Sequence, residues 1–369
     1  MSLLIDKFKK HKSSIKRIGL LKYFKKHLNK INYLAKRINK NSKNNKMRWL
    51  DLRNKFEGER VFLIGNGPSL NKTPLYLLKN EYKMCFNRFY LMLERLNWNI
   101  DFFLTVDNLV LNDLLDELEI VMDNSKYLFM PDIHFRGEEY YKQIQHNNKI
   151  YWIHHKVTGE GFSKNLPKVY GGGSVIYEGL QILNYLGFKE IILIGVDMNY
   201  KIHNNVNKVN NSYNDIESKA DDDPNHFDPR YFGKGRKYHQ PNSHVVDRIF
   251  KSLEYVSKNM DDLGFNVINA GYDSEVEFFD KYDLCSYLDV DKYDIKILFD
   301  DCVNKQTKYN NLEEMINDIE QVEQISHARA MDKSFSVNLS DGLNIIKEKV
   351  FTHKPIGPFD AKYYFIRRE

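Results

Sequence analysis

Short apolar runs that end at a glycine or a polar residue recur along the chain from about residue 60 onward. They cover residues 61–64, 84–86, 101–106, 127–130, 149–153, 191–196 and 266–269. Continuous apolar runs of this length are typical of buried strands. Segments with helical spacing of apolar residues lie between them, at 112–122, 175–186 and 245–260. The alternation predicts an α/β fold, a Rossmann-like and mostly parallel sheet flanked by helices.

The stretch VFLIGNGPSL at residues 61–70 joins an apolar strand directly to a glycine-rich turn. Gly65 and Gly67 lack side chains, so we expect the backbone to approach a ligand there and to expose N–H groups to a phosphate. An ordinary strand-ending turn has the same composition. A second run with a similar ending, IILIGVD at 191–197, favours the ligand site over the plain turn.

Four polar side chains come directly after predicted strands: Asn66, Asn87, Asp107 and Asp197. In open parallel sheets, ligands bind outside the carboxyl ends of the strands. We therefore expect these four residues to lie together at one edge of the sheet.

The segment 199–242 is rich in Asn, Asp, His, Tyr and Gly and shows little periodicity. A stretch of this length inside a compact domain is more often a lid or a binding loop than a linker. It brings several groups with acid–base or hydrogen-bonding chemistry near the predicted helix at 245–260: His226, Tyr231, Arg236, Tyr238, His239 and His244.

Composition places the 369-residue chain among globular proteins, with 42% hydrophobic and 14% aromatic residues. The sequence has no apolar run of membrane-spanning length and no secretory signal at its start. Its three cysteines are widely spaced, which favours reduced thiols and a cytoplasmic location.

Charge is unevenly distributed, although the net charge is only +5. Residues 1–50 contain 16 Lys and Arg but a single acid, and apolar residues recur at helical spacing over 21–38. A basic amphipathic helix of this kind is suited to an anionic membrane surface, which predicts a peripheral position on the inner face of the cell membrane. Packing on the body and nucleic-acid binding are the alternatives. The acidic remainder offers no second basic patch, so we expect no nucleic acid.

These features divide the chain into three parts. Residues 1–50 form the basic extension, 55–285 the α/β catalytic domain with its lid at 199–242, and 290–369 a small helical extension. Helices are predicted at 312–322 and 342–349. The C-terminal part could bind an acceptor or mediate homo-oligomer contacts, and the sequence does not choose between them.

A metal site is a second hypothesis for the acidic residues. Asp197, and the run at 221–223 with His226, present oxygen ligands that suit Mg²⁺ or Mn²⁺. A solvated loop or a capping carboxylate explains the same residues without a metal. Four histidines, at positions 203, 226, 239 and 244, lack the cysteine partners and regular spacing of a zinc site.

Several of these motifs, taken in order, carry a family resemblance. GNGPSL at 65–70, CFNRFYL at 85–91, LGFKEIILIGVD at 186–197 and HVVDRIFKSLEYV from residue 244 resemble the lipooligosaccharide sialyltransferases of glycosyltransferase family 42. Two further segments, GGGS at 171–174 and HFDPRYFGKG at 226–235, are more similar to motility-associated factors and pterin pyrophosphokinase-like proteins. The resemblance covers roughly residues 58–280 and implies a GT-A-like sialyltransferase variant of the fold.

The resemblance implies roles for individual residues. Asn66 and Ser69, in the turn with Gly65 and Gly67, would hold the nucleotide. Asn87 would contact the nucleotide sugar, and Ser174, next to Gly173, matches a serine region near the nucleotide. Asp107 and Asp197 are expected to line the donor site because they follow predicted strands, not because of the resemblance. His244 corresponds to the family's general base.

In the family, tyrosines stabilise the leaving nucleotide without a metal, and this chain departs from that pattern. Tyr200 lies one residue after the expected position, and no tyrosine occupies the second place. Tyr231 is the replacement we expect, and other candidates in the loop are Tyr213, Tyr238, Arg230 and Arg236. We expect a reaction without a cofactor. The alternative is a Mg²⁺ or Mn²⁺ ion bound at Asp197.

The sequence thus predicts a glycosyltransferase that moves a nonulosonic acid from a CMP-activated donor to a glycan or glycolipid of the bacterial surface. One alternative is a pyrophosphokinase-like diphosphotransferase that uses ATP and Mg²⁺. The other is a non-catalytic scaffold that binds a nucleotide sugar, in which His244 is structural.

Overall fold

The computed structural model describes residues 40–288 apart from positions 74, 97, 135–136, 146, 157–160, 210–214, 240–241 and 273, together with six short strands between 297 and 368. The amphipathic helix predicted over 21–38 and the helix predicted at 312–322 lie outside the described residues. No helix among the described residues has the length and apolar character needed to cross a membrane.

A nine-stranded parallel sheet forms the body. In chain order its strands are β1 (Arg60–Ile64), β2 (Tyr82–Phe86), β3 (Ile100–Leu104), β4 (Ser125–Pro131), β5 (Ile150–Lys156), β6 (Lys168–Tyr170), β7 (Glu190–Ile194), β11 (Asn266–Asn269) and β12 (Asp280–Lys281). Their spatial order is β12-β11-β7-β1-β2-β3-β4-β5-β6. Each neighbouring pair is parallel, which confirms the predicted α/β class.

Helices cover both faces of this sheet. They are α1 (Lys40–Leu52), α2 (Asn108–Leu114), α3 (Leu118–Asp123), α4 (Tyr140–Gln143), α5 (Val175–Leu186), α6 (Ser243–Lys258), α7 (Met260–Leu263) and α8 (Leu284–Tyr287). Short 3-10 helices follow β1 and β2 and join α2 to α3. Because side chains of a strand alternate between faces, Val61 and Leu63 enter one buried core and Phe62 the other.

Helix α1 packs directly on the sheet. Trp49 is fully buried, and its indole Nε1 donates to the Trp152 carbonyl of β5 at 2.9 Å. Asn45 donates to the same carbonyl at 2.8 Å and accepts from the Trp152 amide at 3.0 Å. These contacts place α1 in the body, whereas the charge pattern predicted that residues 1–50 form an extension.

The segment 199–242 folds into its own small sheet. Its antiparallel strands are β8 (Val206–Lys208), β9 (Asp215–Ser218) and β10 (Lys237–His239). Between them, Phe227 and Tyr231 are buried in the core of the main sheet. The Phe227 amide also donates to the Asn66 carbonyl at 3.0 Å, which ties the segment to the end of β1.

The described part of the C-terminal region consists of strands. They are β13 (Ile297–Asp300), β14 (Arg329–Met331), β15 (Ser336–Asn338), β16 (Leu343–Ile346), β17 (Val350–Thr352) and β18 (Lys362–Arg368). The helix predicted at 342–349 is therefore wrong. Its central LNII stretch is rich in β-branched isoleucine, and it pairs antiparallel with β15 and β18.

Candidate functional site

A cavity of about 580 Å³ opens at the carboxyl ends of the central strands. This is the edge at which the alternating pattern predicts a ligand site. Its polar and charged lining residues are Asn66, Asn87, Asp107, Asn108, His134, His155, Ser174, Glu178, Asp197, Asn199, Tyr200, Asp215, Asp223, Asn225, His226, Tyr231, Tyr238, His239 and Arg248. The four side chains predicted to meet here, Asn66, Asn87, Asp107 and Asp197, all line the cavity.

The two glycines of the first turn serve the contact between β1 and β7. The Gly65 amide donates to the Ile194 carbonyl and the Gly67 amide to the Gly195 carbonyl, each at 2.8 Å. A Cβ at Gly65 would lie 2.2 Å from the Gly195 oxygen. The expectation that these N–H groups face a phosphate is therefore wrong, because neighbouring backbone carbonyls already accept from them.

Ser69 and Asp197 form one buried unit below the turn. The Ser69 hydroxyl donates to Asp197 Oδ1 at 2.5 Å, and the Ser69 amide donates to Oδ2 at 2.9 Å. A Cβ at Gly67 would lie 2.3 Å from the same carboxyl carbon. Ser69 is 3% exposed and does not line the cavity, so its visible function is to hold Asp197.

Two carboxamides line the cavity between β1 and β2. Asn66 Nδ2 donates to the Phe86 carbonyl at 3.2 Å, and Asn87 has a left-handed backbone with φ of 52°. Within the described residues, both Oδ1 atoms are buried without a hydrogen-bond partner. Buried oxygens of this kind are positioned to accept hydrogen bonds from a ligand.

A histidine–aspartate pair faces the cavity from the 199–242 segment. His226 Nδ1 lies 2.7 Å from Asp223 Oδ2, and the His226 ring stacks on Tyr231 at 3.8 Å with an interplanar angle of 3°. Asp223 also accepts from the amides of Asn225 and Phe232. The carboxylate thus fixes the ring through Nδ1, which leaves Nε2 as the nitrogen available for proton transfer.

Asp223 is held in its charged form. Burial raises the pKa of its carboxyl, but the His226 charge and the hydrogen bonds from His226, Asn225 and Phe232 outweigh burial and lower the pKa overall. Tyr231 lies behind the imidazole, 1% exposed, and burial raises the pKa of its hydroxyl. Tyr231 therefore supports the histidine ring, and its hydroxyl is neutral at physiological pH.

A second pair faces the cavity from the β9–β10 hairpin. His239 Nδ1 lies 2.5 Å from Asp215 Oδ1, and His239 Nε2 lies 3.9 Å from Asp107 Oδ2. Asp107 is also the N-cap of α2, where it accepts from the Leu109 amide at 2.8 Å. The predicted donor-binding role of Asp107 thus coexists with a structural one.

The β5 end of the cavity contains two further histidines. His155 Nε2 lies 2.8 Å from Glu178 Oε1, and His134 Nδ1 lies 3.3 Å from Glu138 Oε2. Burial, with the neighbouring charge of His155, outweighs the opposing effect of Glu138 and lowers the pKa of His134 to about 4. His134 is therefore neutral at physiological pH. None of these four residues was singled out from the sequence. His155 and Glu178 lie on different elements, and His134 and Glu138 share a loop that carries no recognised motif.

The N-terminus of α5 borders the cavity next to a cation. Ser174 is the N-cap, and its hydroxyl accepts from the Ile176 amide at 3.4 Å. A Cβ at Gly173, whose φ is 97°, would lie 3.1 Å from Arg248 Nε. Arg248 is the single arginine or lysine among the described lining residues. A helix N-terminus and a guanidinium both stabilise an anion, so this corner is suited to a phosphate.

His244 does not line the cavity. It is exposed at the start of α6, whereas Val245, Arg248 and Ile249 of the same helix are lining residues. The helix thus meets the cavity through residues 245–249, and its charged lining residue lies one turn beyond His244. Arg248 stands four residues after His244, and that helical spacing was the sequence signal that could have identified it.

The candidates for leaving-group stabilisation lie in different places. Tyr200 lines the cavity and is 43% exposed. Arg230 forms two hydrogen bonds to the buried Asp228, and Arg236 pairs with Glu117, so each guanidinium has a carboxylate partner. Tyr238 lines the cavity but stacks on Phe232 at 4.1 Å. Tyr213 lies outside the described residues.

The acidic run at 221–223 is divided among three different contacts. Asp221 accepts from the Lys234 amide at 2.8 Å, and Asp222 accepts from Asn205 and lies 2.9 Å from His203 Nε2. Asp223 pairs with His226, as described above. Over the residues that the structure describes, no group of three or more His, Cys, Asp or Glu side chains has the arrangement of a metal site.

Comparisons with known proteins identify one matching family. Residues 35–203 match the family model described as 6-hydroxymethylpterin diphosphokinase MptE-like. No curated protein matches the chain.

Solved structures with a similar arrangement include two glycosyltransferases. A MAf glycosyltransferase from Magnetospirillum magneticum AMB-1 is 13% identical, with a TM-score of 0.37 over 65% of this chain. The chain spans 38% of that protein's length. The sialyltransferase CstII from Campylobacter jejuni, solved with cytidine-5'-monophosphate, is 12% identical with a TM-score of 0.35, over 61% of this chain and 85% of CstII. The predicted resemblance, which included pterin pyrophosphokinase-like proteins, is confirmed by the MptE-like match over residues 35–203.

Proposed function

We propose that this protein is a glycosyltransferase that moves a nonulosonic acid from a CMP-activated donor to a glycan of the bacterial surface. The observation that carries the proposal is the His226–Asp223 pair, whose imidazole faces a cavity large enough for a nucleotide sugar. An acceptor hydroxyl must lose a proton as it attacks the anomeric carbon. A histidine whose Nδ1 is fixed by a carboxylate is well suited to take that proton through Nε2.

In this proposal His226 replaces His244 as the general base. His244 is not among the residues that line the cavity, so it has no contact there through which it would meet an acceptor. Asp223 keeps the imidazole oriented and stabilises the imidazolium that forms during transfer. Tyr231 packs on the ring and limits its rotation.

Departure of CMP develops negative charge on the phosphate. Arg248 and the N-terminus of α5, next to Gly173 and Ser174, are the groups that we assign to this charge. Tyr200, at the rim of the same cavity, is the tyrosine available to assist them. Arg230 and Arg236 are not needed to stabilise the leaving group, and both already pair with carboxylates.

The donor class is tested by nucleotide binding. Titration calorimetry of the purified full chain with CMP, UMP, GDP and ATP with Mg²⁺ should show the tightest binding for CMP. Replacing Arg248 with Ala should weaken CMP binding about tenfold or more, because one charge-assisted hydrogen bond contributes roughly 1.5–3 kcal/mol. Lys251→Ala, an exposed change on the same helix away from the cavity lining, is the matched control. Tight binding of ATP with weak binding of CMP would contradict the proposal.

A diphosphotransferase is the second candidate, and the MptE-like description of residues 35–203 favours it. This reaction would use ATP and Mg²⁺, with carboxylates as the metal ligands. Two of the candidate metal ligands, Asp107 and Asp197, already accept hydrogen bonds from the protein. These contacts favour the glycosyltransferase.

We also propose that the basic N-terminal residues hold the enzyme at an anionic membrane surface. The test compares flotation of the full chain and of a chain starting at residue 40 with vesicles that contain anionic lipid. The truncation stops there because Asn45 and Trp49 belong to the folded body. We expect the full chain alone to float, and to be released by high salt. Equal flotation of the two proteins would refute the membrane role.

A further inference from the structure

Glu178 is a buried carboxylate with one oxygen unaccounted for. The residue is 2% exposed, and His155 Nε2 contacts Oε1 at 2.8 Å. Oε2 is buried and has no hydrogen-bond partner among the described residues. A buried carboxylate oxygen without a donor is costly, so its presence in a cavity wall indicates a ligand that supplies the donor.

The cavity that Glu178 lines also has apolar side chains. Phe86, Val106 and Ile176 line the same cavity. Gly179 lies directly over the Phe86 ring, where an added Cβ would stand 3.1 Å from Cε1. Apolar walls that carry a few polar groups are suited to the faces and the edge of an aromatic heterocycle.

Glu178 also lies away from the proposed reaction centre. Its partner His155 is on β5, whereas the His226 segment is tied to the end of β1 through Asn66. Four strand spacings, roughly 19 Å along the sheet edge, separate β1 from β5, and the helix of Glu178 lies between them, since Gly179 packs on Phe86 of β2. The cavity therefore has room for the base of a nucleotide at the β5 end while the sugar lies near His226.

We propose that Glu178, positioned by His155, accepts a hydrogen bond from the exocyclic amino group of a nucleobase and so rejects bases with a carbonyl there. The proposal rests on a nucleotide being the ligand of this cavity, as the proposed function holds. An amino group satisfies Oε2, whereas a carbonyl oxygen would face a carboxylate and leave both acceptors unpaired. For a pyrimidine nucleotide, this selects cytosine over uracil.

The test measures binding of CMP, UMP, AMP and IMP to the full-length protein and to Glu178→Gln. The amide keeps the size of the carboxylate and can present an N–H group where Oε2 stood. We expect the unchanged protein to bind CMP more tightly than UMP, or AMP more tightly than IMP, by about tenfold or more. A difference of this size corresponds to one buried hydrogen bond. In Glu178→Gln the preference should fall to about one or reverse.

The outcomes separate this inference from the proposed function. Loss of a CMP-over-UMP preference in the variant supports both. If the protein does not bind CMP but prefers AMP over IMP, and Glu178→Gln loses that preference, the role of Glu178 is supported and the CMP donor is overturned. A CMP preference that Glu178→Gln leaves unchanged overturns the role of Glu178 alone. Circular dichroism shows whether the variant folds. If it does not, the unchanged protein still tests the role of Glu178: equal affinities for CMP and UMP and for AMP and IMP would overturn it.

Discussion

Replacing His226 with Ala should lower the transfer rate about 10²–10⁴-fold, the usual contribution of general acid–base catalysis by a positioned side chain. The imidazole is fixed by Asp223 at 2.7 Å and by the parallel ring of Tyr231, so its Nε2 is held in one position. Nucleotide binding should stay within about twofold, because the pair acts on the acceptor. Transfer rates at saturating donor, together with a CMP titration, measure the two effects separately.

His244→Ala is the matched control for His226→Ala. It removes an imidazole from the same region of sequence, but from an exposed position outside the cavity lining. We expect a transfer rate close to that of the unchanged protein. A large loss in His244→Ala together with normal rates in His226→Ala would return the base role to His244. Normal transfer rates in both variants would show that neither histidine is the general base.

Replacing Trp49 with Ala should destabilise the protein by about 3–5 kcal/mol, the cost of removing a large aromatic side chain from a packed core. Trp49 is fully buried, stacks on Phe129 at 5.2 Å and donates to the Trp152 carbonyl. The free energy of unfolding from urea denaturation measures the loss.

Leu50→Ala is the control for Trp49→Ala, because the next residue of the same helix is 48% exposed. Its effect should lie within about 0.5 kcal/mol, as for most surface substitutions. Similar small losses of stability in both variants would mean that α1 belongs to the extension predicted from the charge pattern and that the body begins after it.

Seven of the nine strands of the sheet could be predicted from the sequence because they contain apolar runs, whereas the short edge strands β6 (KVY) and β12 (DK) have no such run and were missed. Parallel strands covered on both faces leave continuous hydrophobic runs, and the runs at β1, β3 and β7 each stop at the polar or glycine residue that begins the ligand edge. The position of Asn66, Asn87, Asp107 and Asp197 in one cavity follows from that topology alone.

The contacts within the site could not be predicted in the same way. Gly67 lines the cavity as predicted, but Ser69, which was also predicted to hold the ligand, instead hydrogen-bonds to Asp197, 128 residues away in sequence. Composition marked 199–242 as functional, but only the folded chain reveals that Asp223 fixes His226. Arg248 and Glu178 are single charged residues within helices, and their importance depends on which helix face meets the cavity.

The most direct test of the account is release of CMP from a CMP-activated nonulosonic acid, with and without an acceptor glycan, in the presence of EDTA. The account predicts acceptor-dependent CMP release that persists in EDTA and falls at least a hundredfold in His226→Ala. Turnover that requires ATP and Mg²⁺ and releases AMP, with no CMP released from the sugar donor, would contradict it.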